Sequence, residues 1–137
     1  MTNFVDVTYQ QTGKSLDIDT MGMREMQRRA FQERKAQYLL LKAPPASGKS
    51  RALMFLGLDK LKYQGVEKVI VAVPERSIGG SFAFTDLMEY GFFANWEPND
   101  TYNLCTPGGD GSKSKVQAFH NFMDSDEQIL ICTHATL

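Results

Sequence analysis

The segment Ala43-Pro44-Pro45-Ala46-Ser47-Gly48-Lys49-Ser50 constrains this chain more than any other. It follows the apolar run Leu39-Leu40-Leu41 and leads into a long apolar-rich stretch with helical spacing. A strand, a loop of small residues and then Gly-Lys-Ser opening a helix is the layout of a phosphate-binding loop. Small residues let successive backbone N–H groups curl around a polyphosphate, and the helix aims its positive N-terminal end at it. In this reading the amides of Ala46, Ser47, Gly48, Lys49 and Ser50 cradle the phosphates. Lys49 reaches the outer phosphates as the catalytic cation, and the Ser50 hydroxyl sits on Mg²⁺. The general pattern has glycine where Ala43 stands, and many such loops carry another where Ala46 stands. The competing reading is a solvated turn with a chance Gly-Lys-Ser.

Thr12-Gly13-Lys14-Ser15 repeats the tripeptide in a different setting. The runs Phe4–Tyr9 and Leu16–Asp19 alternate apolar with polar residues on either side of it. That pattern predicts a β-hairpin over residues 1–19 with Gly13 in the turn. A helix is expected from Met23, with Met23, Met26, Ala30 and Phe31 on one face and Arg24, Arg28, Arg34 and Lys35 toward solvent. Then come a strand Tyr38–Lys42, a helix Lys49–Gln64 packing Ala52, Leu53, Leu56 and Leu61 inward, and Gly65 as its cap. Lys68–Val73 reads as a strand buried on both faces. A helix within Ser81–Tyr90, an irregular stretch Gly91–Thr101, a strand Tyr102–Cys105 and a glycine-rich loop Pro107–Gly111 follow. A helix Val116–Met123 and a buried strand Gln128–Cys132 complete the series. Strands alternating with helices imply a parallel α/β sheet with right-handed crossovers.

With 137 residues, 42% hydrophobic and 23% charged, the chain suits one globular domain. A formal net charge of −1 argues against a protein that coats polyanions, while leaving room for a local basic groove. Cys105 and Cys132 lack metal-ligand spacing and read as reduced, buried thiols of a cytoplasmic protein. No signal segment and no membrane-spanning apolar run is visible. His120 and His134 have no sequence partners that would make them catalytic. Phe92, Phe93 and Trp96 fit a base-stacking role or core packing equally well.

The order of these segments resembles the first motor domain of superfamily-two helicases, the DEAD/DEAH-box and restriction-enzyme-like group. Met23-Arg24-Glu25-Met26-Gln27 is similar to that family's glutamine motif, and the resemblance assigns Gln27 to the adenine edge. Ala43, Gly48, Lys49 and Ser50 match the family's phosphate loop, Ala-x-x-Gly-x-Gly-Lys-Ser/Thr. Val73-Pro74-Glu75-Arg76-Ser77 occupies the place of the proline-led turn that grips nucleic-acid backbone, and Ile131–Leu137 that of a later backbone-contacting motif. The resemblance therefore implies nucleic-acid contacts from Arg76, Ser77 and Thr133, with DNA the expected partner. It implies a P-loop NTPase fold of RecA-like type over residues 20–137, using ATP and Mg²⁺.

No buried strand here ends in Asp-Glu, the motif that would hold Mg²⁺ and orient water. In the family that motif comes just beyond the segment containing Thr133. The chain thus reads as the N-terminal ATP-binding part of a helicase or translocase, inactive as an ATPase alone. Its sheet is expected to be incomplete beside the phosphate loop, with Tyr38–Lys42 lacking a neighbour on at least one side. Two other classes stay open. One is a non-catalytic nucleotide- or nucleic-acid-binding module. The other is a different P-loop NTPase such as a small kinase, which needs arginines in lid segments, whereas the arginines here cluster before Lys42.

Overall fold

The computed structural model describes residues 4–8, 19–44, 47–105 and 112–136. Its elements are β1 (Phe4–Thr8), α1 (Glu25–Gln32), β2 (Tyr38–Lys42), α2 (Lys49–Tyr63), β3 (Val69–Val73), α3 (Arg76–Gly79), α4 (Ser112–Asp124) and β4 (Ile129–Thr133). Strands alternate with helices as the sequence predicts. Residues 1–65 with 86–95 form one compact unit, and residues 66–85 with 96–137 form a second.

In the first unit β1 and β2 pair in parallel, from Phe4 opposite Tyr38 to Thr8 opposite Lys42. The strand Phe4–Thr8 exists and pairs with β2, while residues 16–18 of the expected hairpin's second run lie outside the described residues. Asp19 lies in a turn outside any strand, and residues 9–18, including the second Gly-Lys-Ser, lie outside the described residues. Among the described residues β2 pairs with β1 alone.

Helix α1 buries Met26, Gln27 and Ala30, with Met23 just ahead of it. Met26 and Ala52 form a small cluster with Leu41 and Ala43, joining α1, α2 and the end of β2. Helix α2 departs from its expected face. Ala52, Met54, Phe55, Leu56 and Leu58 are buried, whereas Leu53 is exposed. The cause is the segment 86–95, which gives α2 a second apolar neighbour. Phe92 lies edge-on to both Phe55 and Phe31, with ring centroids 4.7 and 5.9 Å apart. Phe93 packs on Phe92 and Tyr63. At the far end of the two helices Asp59 is buried, and its Oδ2 accepts from Gln64 Nε2 at 2.7 Å and faces Arg34 Nε at 3.4 Å. Lys60 and Gln64 donate to the Arg34 carbonyl, so the turn after α1 is held by α2. Gly65, at φ +71°, follows α2 as the cap.

In the second unit β3 and β4 pair in parallel, from Val69 opposite Ile129 to Val73 opposite Thr133. Strand β4 is buried along Ile129–Cys132, but β3 is covered less than its composition predicts, since Ile70 is exposed. Leu130 and Cys132 project into a core with Leu104 and Phe122, flanked by Ala72, Tyr102, Ala118 and Phe119 of the same unit. Lys68 Nζ donates to the carbonyls of Phe122, Ser125 and Glu127 at 2.7–3.0 Å. One ammonium thereby satisfies carbonyls in and just after the last turn of α4, where a positive charge also suits the helix dipole.

Two more expected elements differ. The helix placed within Ser81–Tyr90 is instead two single 3₁₀ turns, Gly80–Phe82 and Met88–Tyr90. Trp96 explains this. Its backbone exchanges two hydrogen bonds with Thr85 at 3.0 and 3.1 Å, and its Nε1 donates to the Phe82 carbonyl at 2.8 Å. Those bonds fix the chain in a non-helical path. The strand Tyr102–Cys105 is reduced to one bridge, Asn103 to Ile131, continued by the Leu104 amide on the Ile131 carbonyl. Asn103 Oδ1 accepts from the Cys105 amide, a local turn that ends the pairing. The glycine-rich loop Pro107–Gly111 lies outside the described residues.

Candidate nucleotide site and strand-end loops

The segment expected to form a phosphate loop leads from β2 into α2. Gly48 is the residue before the helix, at φ +92°, ψ +29°, a left-handed conformation natural to glycine. Space makes the same demand. A Cβ on Gly48 would stand 2.5 Å from Gln27 Nε2. Ser47 is buried, and its hydroxyl donates to the Pro44 carbonyl at 2.6 Å, closing the loop on itself. Lys49 is exposed and Ser50 half-buried in the first turn of α2. Pro45 and Ala46 lie outside the described residues, so Ala46, a departure from the resembled loop, stays an expectation.

Gln27 is brought to this loop across more than twenty residues of sequence. It is 2% exposed; its Oε1 accepts from the Arg24 amide at 2.8 Å and its Nε2 donates to the Gly48 carbonyl at 3.0 Å. A carboxamide carries two N–H donors, and one of them is spent on Gly48. The side chain therefore ties the start of α1 to the loop.

Three cations flank the loop: Arg24, Lys49 and Arg51. None has an ion-pair partner among the described residues. An Arg24 guanidinium nitrogen lies 3.9 Å from where a Gly48 Cβ would be. Arg51 places its guanidinium over the Tyr90 ring, 5.6 Å from the centroid. Arg24 was assigned to the solvent face by periodicity, and neither Arg51 nor Tyr90 carried a motif. Arg24 had one legible signal, its place three residues before Gln27 at a helix start. Tyr90 had none, because its position is a tertiary contact. Among the described residues no group of three or more His, Cys, Asp or Glu forms a metal site. A Mg²⁺ here would be held by the Ser50 hydroxyl together with phosphate oxygens and water, a donor set that suits this cation.

In the second unit, the register sets Val73 opposite Thr133, so the C-terminal ends of β3 and β4 lie side by side. Thr133 is the last residue of β4 and is half-buried; Arg76 and Ser77 open α3 three residues beyond Val73 and are exposed. The ladder thus brings the three expected backbone-contacting residues to one end of the strand pair. Phe92 and Trp96, weighed as base-stacking groups, are core residues, at 3% and 0% exposure.

Over all 137 residues the chain is 64% identical to a Bacillus subtilis (strain 168) protein named "Putative ATP-dependent helicase YeeB". The chain spans 22% of that relative's length. No family model and no solved structure matches it. No helix among the described residues is long and apolar enough to cross a membrane.

The two cysteines are free and buried. Cys132 faces the core with Leu130, while a Cβ added at Gly79 would meet both Cys105 and the Ile131 side chain. Neighbouring positions of a strand point to opposite faces, so the two thiols lie on opposite sides of β4 and are not placed to bridge. Burial pushes both thiols above their ordinary range; Lys115 and Arg76 pull Cys105 part of the way back, and Cys105 pushes Cys132 further up. A raised thiol pKa means the fold prefers the protonated form. That stability is fully present below the ordinary value of 9.0 and is lost as pH rises through the raised one. Unfolding free energy is therefore expected to fall above about pH 9, and less steeply in Cys132→Ala. Urea titrations at neutral and alkaline pH check this; parallel slopes in the two proteins would exclude Cys132 as a source.

Proposed function

We propose that this chain is the ATP-binding part of an ATP-dependent helicase or translocase acting on nucleic acid, DNA being the expected track. The observation that carries the reading is the clasped loop. Gly48 adopts the left-handed turn that opens α2, its carbonyl is held by Gln27, and Arg24, Lys49 and Arg51, which have no ion-pair partner among the described residues, flank it. The similarity to a relative named "Putative ATP-dependent helicase YeeB" supports the same reading. In it the amides of residues 46–50 bind the phosphates, Lys49 neutralises charge on the outer phosphates, and Ser50 binds Mg²⁺. Gln27 offers its remaining N–H to the adenine edge. A magnesium ion held by the Ser50 hydroxyl would supply charge neutralisation at the phosphates.

The test is calorimetric titration of the full-length polypeptide with Mg-ATP, followed by displacement with inorganic tripolyphosphate. Competition at one site is expected; ATP binding that tripolyphosphate leaves untouched sinks the assignment to this loop.

Arg76, Ser77 and Thr133 are the proposed contacts to nucleic-acid backbone. Phosphate contacts position a duplex or strand without reading bases. Arg76→Gln is expected to weaken binding by a similar factor for all sequences and to reduce the salt slope by about one. Fluorescence anisotropy across a salt series measures both, and a loss confined to certain sequences would exclude the backbone role.

A further inference from the structure

Tyr90 has no part in the reading above, yet the fold takes trouble to place it. The turn that carries it, Met88–Tyr90, is tied internally. Asn95 Oδ1 accepts from the amides of Leu87 and Met88, and the Leu87 carbonyl accepts from the amides of Tyr90 and Phe92. Leu87 itself is buried. The turn ends at Gly91, φ +110°, where a Cβ would overlap the Thr20 carbonyl oxygen. Opposite it, Asp19 Oδ1 accepts from the amides of Met21 and Met23, shaping a tight loop. That loop presents Gly22 at φ +80°, where a Cβ would stand 2.5 Å from the Tyr90 Cβ. Two left-handed glycines thus let two loops press together, and Tyr90 is what they hold.

The tyrosine is also reached from the phosphate loop along two paths. Arg51, one residue after Ser50, lays its guanidinium over the ring. Gly22, two residues before Arg24, lies against the Tyr90 Cβ, and an Arg24 guanidinium nitrogen lies 3.9 Å from where a Gly48 Cβ would be. Despite this, Tyr90 is 44% exposed. A rigidly held, half-exposed aromatic ring with a cation on it, beside a polyphosphate cradle, suits a flat π-system bound next to phosphates.

We propose that Tyr90, backed by Arg51, is the stacking platform for the purine base of the nucleotide whose phosphates occupy the Gly48 loop. This rests on the nucleotide reading given above. Tyr90 then supplies affinity for the base, while Lys49 supplies affinity for the phosphates. The two contributions separate cleanly because tripolyphosphate has no base.

The experiment measures affinities for Mg-ATP and for Mg-tripolyphosphate in the full-length polypeptide and three variants. Tyr90→Ala is expected to weaken ATP binding roughly tenfold, the scale of one lost base–aromatic stack, with tripolyphosphate unchanged. Tyr90→Phe keeps the ring and is expected to bind both ligands as the parent does. Lys49→Ala is expected to lose both ligands. Unchanged tripolyphosphate binding by Tyr90→Ala also reports that the loop is still folded. If Lys49→Ala loses both ligands but Tyr90→Ala loses neither, the stacking role is overturned and the phosphate loop stands. If Tyr90→Ala weakens both ligands equally, the ring is a structural prop and the proposal falls. If Lys49→Ala binds both ligands undiminished, the nucleotide reading falls and takes the platform with it.

Discussion

Lys49→Ala is expected to lower affinity for Mg-ATP by about 100-fold while leaving the fold as stable as before. The binding loss follows from the ligand's charge. A hydrogen bond between charged groups contributes about 1.5–3 kcal/mol, and each 1.4 kcal/mol is tenfold in affinity. The neutral effect on stability follows from the surroundings. Lys49 is exposed in the first turn of α2 and has no ion-pair partner among the described residues. Alanine is the best helix former, and a cation at a helix N-terminus opposes the dipole, so the substitution removes a small unfavourable term. Calorimetry for affinity and a urea melt for stability read the two halves separately. Undiminished affinity would remove Lys49 from the phosphate site. A matching loss of stability would recast it as a structural residue.

That contrast between function and fold runs through what the sequence disclosed. Elements governed by local pattern were legible. The apolar run Tyr38–Lys42, the helix after Gly48, and the strands around Val71 and Ile131 stand where their periodicity put them, to within a residue or two. Partners chosen at a distance were not. Alternation in Phe4–Thr8 identified a strand and pointed to a hairpin, but not to its parallel pairing with β2. The buried face of α2 was misread because Phe92, some forty residues on, covers Phe55. The irregular stretch after Gly91 was legible, but the non-helical path of residues 81–90 and the shortened pairing at 102–105 were not, because they depend on Trp96 and Asn103 hydrogen-bonding to backbone nearby. The same division holds at the candidate site. Gly48, Lys49 and Ser50 announced themselves through a motif with a mechanism. Gln27's contact with Gly48 could not be read from the sequence; its Oε1 is held by the Arg24 amide and its Nε2 donates to the Gly48 carbonyl. Tyr90 and Arg51 emerged only from tertiary contacts.

Trp96→Ala is expected to be the most destabilising single change in the second unit, costing about 3–5 kcal/mol. Trp96, the only tryptophan in the sequence, is fully buried. Truncating it removes a large apolar surface and leaves a cavity that the rigid neighbourhood fills poorly. It also takes away the donor to the Phe82 carbonyl, and a buried acceptor without a partner costs roughly 1–3 kcal/mol. The edge contact between Trp96 and Phe82 rings, at 6.4 Å, goes with it. The backbone bonds between Thr85 and residue 96 survive any side chain except proline, so the path of the chain is retained while its packing is not. Trp96→Phe divides the two effects. It keeps much of the apolar volume but lacks the N–H, and its expected cost is about 1–3 kcal/mol. Urea unfolding followed by far-ultraviolet circular dichroism suits all three proteins, because neither variant retains a tryptophan for fluorescence. If Trp96→Ala unfolds within about 1 kcal/mol of the parent, the tryptophan is a lining of the loop and not its anchor. If Trp96→Phe proves as costly as Trp96→Ala, the hydrogen bond to Phe82 outweighs the packing. The irregular course of residues 80–104 is then set by a polar contact inside an apolar pocket.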